Sequence, residues 1–98
     1  MYKPLPDYVT IKKSSVHGLG LFATKHIESD TNIGLTHIYN EDYENNYIRT
    51  PLGGFFNHND INPNCKILSK DNFLFLITIK DIKCGEELTA KYTLYNPE

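Results

Sequence analysis

The sequence predicts a small, mainly β domain, and three observations support this prediction. Short apolar segments recur along the chain, several of them alternate apolar with polar residues, and turn-forming residues separate them. Alternation with a period of two residues is typical of strands that have one buried face. The one plausible helix covers residues 41–47 and is short. A chain of 98 residues has room for one domain, so we expect residues 1–98 to form it.

The predicted elements follow from these patterns in chain order. We predict strands over residues 8–12, 20–24, 33–39, 66–69, 73–79 and 87–91. Lys70-Asp71-Asn72 is a turn signal, so the fourth and fifth strands should form a hairpin. Residues 73–77 are apolar at every position, and we expect that strand to be covered on both faces. Leu52-Gly53-Gly54 predicts a loop with permissive backbone.

Composition excludes several function classes. A net charge of −2 offers no basic field for direct nucleic-acid binding. The longest apolar run, residues 73–77, is too short to span a membrane, and no signal peptide is evident. The two cysteines have no zinc-ligand spacing and are too few for a secreted disulfide scaffold, so we expect an intracellular protein. A core of this size is marginal, and a homodimer would add buried area.

Three motifs carry the candidate chemistry: HGLGLFA at 17–23, FNHNDINPNC at 56–65 and GEELTAKY at 85–92. The Gly-x-Gly of the first motif allows a ligand to approach the backbone closely, although taken alone it is better explained as a tight turn. In the second motif, Asn57 and His58 are suited to supply polar groups at the floor of a pocket. The alternative interpretation is that Asn57 caps a turn and His58 is a hydrogen-bonded core histidine. In the third motif, Glu86 and Glu87 are expected to be exposed or paired locally. The histidines and cysteines show no metal-ligand spacing, so no metal site is predicted.

In this order the three motifs resemble the SET domain of protein lysine methyltransferases, over residues 9–92. The resemblance implies a β-clip of several small sheets, in which a C-terminal segment threads under the loop around Asn57 and His58 and forms a pseudoknot. The chain is most similar to the minimal, free-standing viral and bacterial members of that family. No cysteine cluster flanks the core, so we expect a single minimal SET domain.

The resemblance also implies a cofactor, a substrate and roles for individual residues. The cofactor is S-adenosyl-L-methionine (AdoMet), and the substrate is a lysine of a protein. The implied catalytic residue is Tyr92, and Tyr47 and Tyr95 are predicted to line the lysine channel. The residues implied to bind AdoMet are His17, Gly18, Leu19, Gly20, Asn57 and His58.

This chemistry has a narrow physical requirement. A lysine amine with a pKa of about 10.4 is almost entirely protonated at neutral pH, and only its free base can accept a methyl group. An apolar channel and a nearby sulfonium both disfavour the ammonium form and lower that pKa. Neither a metal nor a covalent enzyme intermediate is needed.

Two departures from the family pattern keep alternatives open. One residue is inserted between His58 and Pro63, where Asn59 stands in place of the usual serine, and Lys91 precedes the proposed catalytic tyrosine. One alternative is an inactive SET-fold module that binds AdoMet or a peptide. The other is a methyltransferase that acts on a small amine.

Overall fold

The predicted mainly β class is confirmed by the computed structural model, which describes residues 5–15, 18–42, 46–59 and 61–91. The strands are β1 (Val9–Lys13), β2 (Leu19–Ala23), β3 (Asn32–Tyr39), β4 (Tyr47–Arg49), β5 (Asn57–His58), β6 (Cys65–Lys70), β7 (Phe73–Thr78) and β8 (Glu87–Ala90). The helix α1 covers Pro51–Phe55. Among the described residues, no helix combines the length and the apolar character needed to cross a membrane.

The last strand lies inside the sheet order β1-β2-β8-β6-β7-β3-β4, between β2 and β6. β8 pairs with β2 in antiparallel orientation, and with β5 and β6 in parallel orientation. Cys65 of β6 pairs with Ala90 of β8. β8 therefore connects β2 on one side to β6 on the other. Residues 92–98, on which the predicted pseudoknot threading depends, lie outside the described residues.

The predicted hairpin is confirmed, and one burial expectation is wrong. β6 and β7 pair from Cys65 and Thr78 to Lys70 and Phe73, across a turn in which Asp71 has a φ of 56°. The strand was expected to be covered on both faces, but Phe73 is 40% exposed. It lies at the tip of the hairpin, beyond the part of β7 that packs on the core. Its ring instead packs against Phe75, with 6.5 Å between the ring centroids.

The helix prediction over residues 41–47 is wrong, and the helix lies where a loop was predicted. Glu41 and Asp42 form a turn and Tyr47 begins β4, while residues 43–45 lie outside the described residues. In α1, the Thr50 side chain caps the N-terminus by accepting from the Gly53 amide at 3.2 Å, and Pro51 is the first helical residue. A threonine cap followed by proline is a favourable start for a helix.

The core joins β2, β7, β8 and the short helix. The largest completely buried apolar side chains are Leu21, Leu52, Leu76, Ile82 and Leu88. α1 packs against β2, β3 and β4, and the chain continues directly from it into β5. The helix therefore connects the β3–β4 hairpin to the Asn57-His58 motif.

A matched pair of glycine substitutions tests this close packing of α1. A Cβ built on Gly53 would overlap the carbonyl oxygen of Thr36, whereas one on Gly54 would meet nothing within 4 Å. We expect Gly53→Ala to lower the free energy of unfolding by about 1–3 kcal/mol, the usual cost of overpacking. Gly54→Ala should be neutral or stabilising by up to about 1 kcal/mol, because alanine favours helix. Urea denaturation measures both, and equal effects would contradict the predicted contact.

Candidate functional site

β8 brings two of the three sequence motifs together. Asn57 and His58 in β5 pair with Thr89 and Ala90, and β2 pairs with the same strand through Leu21 and Phe22. The Gly-x-Gly segment at the start of β2 and the Asn-His pair of β5 therefore flank one strand, which itself belongs to the third motif. Residues that are far apart in sequence meet at this point.

The carboxylate of Glu87 connects these segments. The hydroxyl of Ser14 donates to it, with Oγ 2.8 Å from Oε1, and Nδ2 of Asn57 donates to Oε2 at 2.7 Å. The same Asn57 amide donates to the carbonyl of Leu19 at 3.3 Å. Glu87 was expected to be exposed or paired locally, and that expectation is wrong. Its partners lie 73 and 30 residues away, so no local pattern could have identified them.

The glycines of the first motif allow the chain to approach Glu87. A Cβ on Gly20 would overlap Oε2 of Glu87, so a side chain there would displace the carboxylate. Gly18 has a φ of +48°, in the left-handed region, and its carbonyl accepts from the Ser14 amide at 2.7 Å. Leu19, between the two glycines, is 50% exposed. The segment thus presents backbone and one apolar side chain to the surface beside a carboxylate.

A second asparagine fixes the backbone of β8. Oδ1 of Asn64 accepts from the Thr89 amide at 2.9 Å, and Nδ2 donates to the Glu87 carbonyl at 2.8 Å. The Asn64 side chain thus makes the hydrogen bonds with Glu87 and Thr89 that a neighbouring strand would otherwise make. It does so next to the pairing of Cys65 with Ala90. Sequence reasoning assigned no role to Asn64. Its place in an Asn-Pro-Asn-Cys turn was the available signal.

The segment that follows His58 continues the pairing with β8. The Asn59 amide donates to the Ala90 carbonyl at 3.2 Å, so the pairing with β8 continues past His58. Its side-chain oxygen accepts from the amides of Ile61 and Asn62, both at 3.0 Å, and Ile61 is 93% exposed. The turn borders a polar cleft of about 300 Å³ lined by Asn59, Asn62, Asn64, Lys80, Asp81, Glu86, Glu87 and Thr89.

The structure therefore unites part of the predicted site. The predicted residues that it brings together are Gly18, Leu19, Gly20, Asn57 and His58. His17, Tyr92 and Tyr95 lie outside the described residues. Tyr47 lies on β4, at the far end of the strand order from β1, where it contacts a different group of side chains.

That group, which we term the hairpin cluster, comprises His37 and Tyr39 of β3 with Tyr47 and Arg49 of β4. The ring of Tyr47 contacts both His37 and Tyr39 in edge-to-face geometry, with centroid distances of 6.0 and 5.7 Å. His37 pairs directly with Arg49 across the two strands. Sequence reasoning considered His37 only as a metal ligand and rejected that role.

His37 is held in its neutral form. The residue is 2% exposed, and burial, followed by the Arg49 guanidinium, lowers the pKa of the imidazole to about 4. The Thr36 hydroxyl donates to the Leu74 carbonyl at 3.1 Å, and its oxygen lies 2.9 Å from Nδ1 of His37.

The Nε2 atom of His37 has no hydrogen-bond partner among the described residues. Leaving a buried polar atom unpaired costs about 1–3 kcal/mol, and such atoms are rare in folded proteins. Every other buried side-chain polar atom of the described residues has a hydrogen-bond partner.

Removing the charge of Glu87 tests the network that joins the motifs. In Glu87→Gln an N–H group replaces one acceptor oxygen, so the side chain can no longer accept fully from both Ser14 and Asn57. We expect the free energy of unfolding to fall by about 1–3 kcal/mol. The adjacent Glu86→Gln is the control, since Glu86 is exposed and its contact to the Lys83 amide needs one oxygen. Its effect should stay within about 0.5 kcal/mol. Chemical denaturation measures both, and equal losses would contradict the connecting role of Glu87.

Comparison with known proteins gives a consistent result. The family model of the SET domain matches residues 35–93. A SET domain-containing protein of Acanthamoeba polyphaga mimivirus is 29% identical over 91 residues, which is 90% of this chain and 35% of that protein. This chain thus spans about a third of the length of that relative.

Solved structures show the same fold. A candidate histone methyltransferase of Plasmodium falciparum superposes with a TM-score of 0.70 at 24% identity, covering 96% of this chain and 97% of that one. The methyltransferase domain of human PR domain-containing protein 2 also gives 0.70, at 22% identity, with 96% and 83% covered. The family match, the motifs around β8 and the fold agree, and the chain belongs to the SET domain family.

Proposed function

We propose that this protein is an AdoMet-dependent protein-lysine N-methyltransferase. The observation that carries the proposal is the network around Glu87, which joins the Gly-x-Gly segment to the Asn-His pair along one strand. The motifs that predict cofactor binding from sequence are thus neighbours in space. Tyr92, the proposed catalytic residue, follows Ala90 by two positions in sequence, and Ala90 pairs with His58.

The residues present suit AdoMet. This molecule carries a net positive charge, and the half-buried carboxylate of Glu87 lies beside the Gly-x-Gly segment. In the proposed site, residues 18–20 present backbone groups and the exposed side chain of Leu19, and Asn57 and His58 provide polar contacts. His17 is proposed to complete this set. When bound, AdoMet supplies a methyl group on a sulfonium, which the free amine of a lysine can accept with loss of one proton.

The remaining groups would position the amine. The Tyr92 hydroxyl is proposed to orient the methyl group by weak C–H···O contacts, and Tyr47 and Tyr95 to line the channel. Correct alignment of the reacting atoms can lower the barrier by about 7 kcal/mol or more. A protein lysine is the proposed partner, and homodimer formation stays a prediction.

One finding bears on the inactive-module alternative. The insertion after His58 motivated it, because an extra residue could have displaced the Asn-His pair. Asn57 and His58 instead stay paired with Thr89 and Ala90, and the Asn59 amide continues that pairing to the Ala90 carbonyl. The small-amine alternative differs from the proposed function in which molecules accept the methyl group. The experiment below distinguishes the two.

Deleting one oxygen from Tyr92 tests the catalytic assignment. We expect Tyr92→Phe to change stability and AdoMet affinity by less than about 1.5 kcal/mol, the size of an ordinary hydrogen bond. Methyl transfer should fall by about a factor of ten or more, because each 1.4 kcal/mol added to the barrier is tenfold in rate. The measurement is transfer of labelled methyl from AdoMet to cell lysate, separated into protein and small-molecule fractions.

Tyr8→Phe is the matched control, because Tyr8 packs against the core and its loss of a hydroxyl should leave transfer unchanged. Equal turnover by wild type and folded Tyr92→Phe would overturn the catalytic role. Label in the small-molecule fraction alone would favour the small-amine alternative. AdoMet binding without transfer to either fraction would favour the binding module.

A further inference from the structure

Six apolar side chains lie on one face of the strand group β6-β7-β3-β4. Residues that pair across antiparallel strands point to the same side of a sheet. The pairings along this group therefore define a face, which we term the outer face: Leu35 and Ile38 of β3, Ile48 of β4, Leu68 of β6, and Phe73 and Phe75 of β7. The alternating β7 residues Leu74 and Leu76 point the other way and are buried in the core.

The outer face is open to solvent in the single chain. Leu68 is 44% and Phe73 is 40% exposed, and the other members are partly exposed. Residues 73–77 are apolar at every position, as in strands that are covered on both faces. Connected apolar patches of more than a few hundred Å² are rare on monomeric proteins. The outer face is therefore suited to contact with another molecule.

Charged residues border the outer face, with opposite signs on its two sides. On the β6 side, Lys66 and Lys70 are exposed and lie on the outer face, because they occupy alternate positions of the strand. Asp71, in the turn next to Lys70, offsets part of their charge. The exposed acidic residues on the β3 side are Asp30 before the strand, and Glu41 and Asp42 after it.

The acidic residues lie at both ends of β3, level with the two lysines. Asp30 lies at the Lys66 end, because its amide donates to the carbonyl of Thr78 at 2.9 Å, one residue beyond the β7 partner of Lys66. The acidic turn after β3 lies at the other end, beside the β6–β7 turn. The Tyr39 amide there donates to the Asn72 carbonyl at 2.7 Å. The face thus has a basic side and an acidic side along its whole length.

This charge pattern is complementary to itself under one two-fold rotation. Packed sheets stack about 10 Å apart with their strands nearly aligned. A two-fold axis parallel to the strands, between β7 and β3, places β6 of each copy over the β3–β4 side of the other. Lysines then oppose acidic residues at both ends. An axis perpendicular to the strands would instead place β6 over β6 and oppose lysine to lysine, which is unfavourable.

We propose that two copies of this chain form a dimer through their outer faces, about a two-fold axis parallel to the strands. The face is about 19 Å wide and about 17 Å long, from four strands and five residues at ordinary strand spacing. This is smaller than the interfaces of obligate dimers, so we expect a dissociation constant on the order of 10 µM. Asn57 and His58 of β5 and the Gly-x-Gly segment of β2 lie outside this strand group, so each copy keeps its own candidate site.

Sedimentation equilibrium of the full chain without AdoMet measures the association. Over about 1–500 µM, which brackets the expected constant, the average mass should rise from that of a monomer toward twice that value. Leu68→Lys places a charge in the apolar contact, and the dissociation constant should rise at least about tenfold. The control is Ile61→Lys, the same kind of change at a residue that is 93% exposed in the turn before β6 and off the outer face. It should leave the constant unchanged.

Charge reversal tests the symmetry of the dimer. One variant carries Lys66→Glu and Lys70→Glu, and the other carries Asp30→Lys and Asp42→Lys. Each variant alone brings like charges together, so its dissociation constant should rise about fivefold or more. An equimolar mixture pairs opposite charges on both sides, and it should form a dimer with the wild-type constant.

The contrary results are specific. A wild type that stays monomeric over the whole range would overturn the proposal. If it is monomeric and Leu68→Lys also unfolds more easily, a segment of the same chain covers the face. Equal effects of Leu68→Lys and Ile61→Lys would place the contact elsewhere and also overturn it. Homodimers of the charge-reversed variants that are as tight as the wild type would contradict the parallel axis. Because sedimentation requires neither AdoMet nor a substrate, failure of the proposed function leaves this test intact.

Discussion

The candidate site depends on the carboxylate of Glu87. A half-buried charge must be met by hydrogen-bond donors, and this one takes them from Ser14 and Asn57, which lie 73 and 30 residues away. Gly20 is required because any side chain there would occupy the position of the carboxylate. β8 carries Glu87 and pairs with β2, β5 and β6, so its backbone and its side chain draw the same segments together. The site therefore forms only when this last strand is in place.

A second constraint links the β3–β4 hairpin to that site through α1. Thr50 caps the helix and donates to the carbonyl of Leu35, and Gly53 rests against that of Thr36. The short helix then leads into the Asn-His pair within two residues. His37, on the same strand as Thr36, is held neutral, and its Nε2 atom has no partner among the described residues. The short helix thus joins the hairpin that carries Tyr47 to the strand that carries the proposed cofactor residues Asn57 and His58.

The sequence predicted the features that depend on local patterns. Apolar patterns identified six of the eight described strands, but the short β4 and β5 were not predicted. Lys70-Asp71-Asn72 identified the hairpin, and the ordered motifs identified the family. The helix over Pro51–Phe55 was missed because Gly53 and Gly54 have low helix propensity, although Thr50 and Pro51 form a start signal. The connecting role of Glu87 was missed for another reason. Its partners Ser14 and Asn57 lie 73 and 30 residues away, and no periodicity in the chain records them.

The central claim is that residues 18–20, 57–58 and 87–90 form one AdoMet site around β8. The most direct test is to follow backbone amide resonances during a titration with S-adenosylhomocysteine. We expect amides of all three segments to shift together with a single dissociation constant. Amides of the β6–β7 hairpin near Phe73 should stay unchanged. Shifts confined to the hairpin, shifts in the three segments with different dissociation constants, or no shifts at saturating ligand would contradict it.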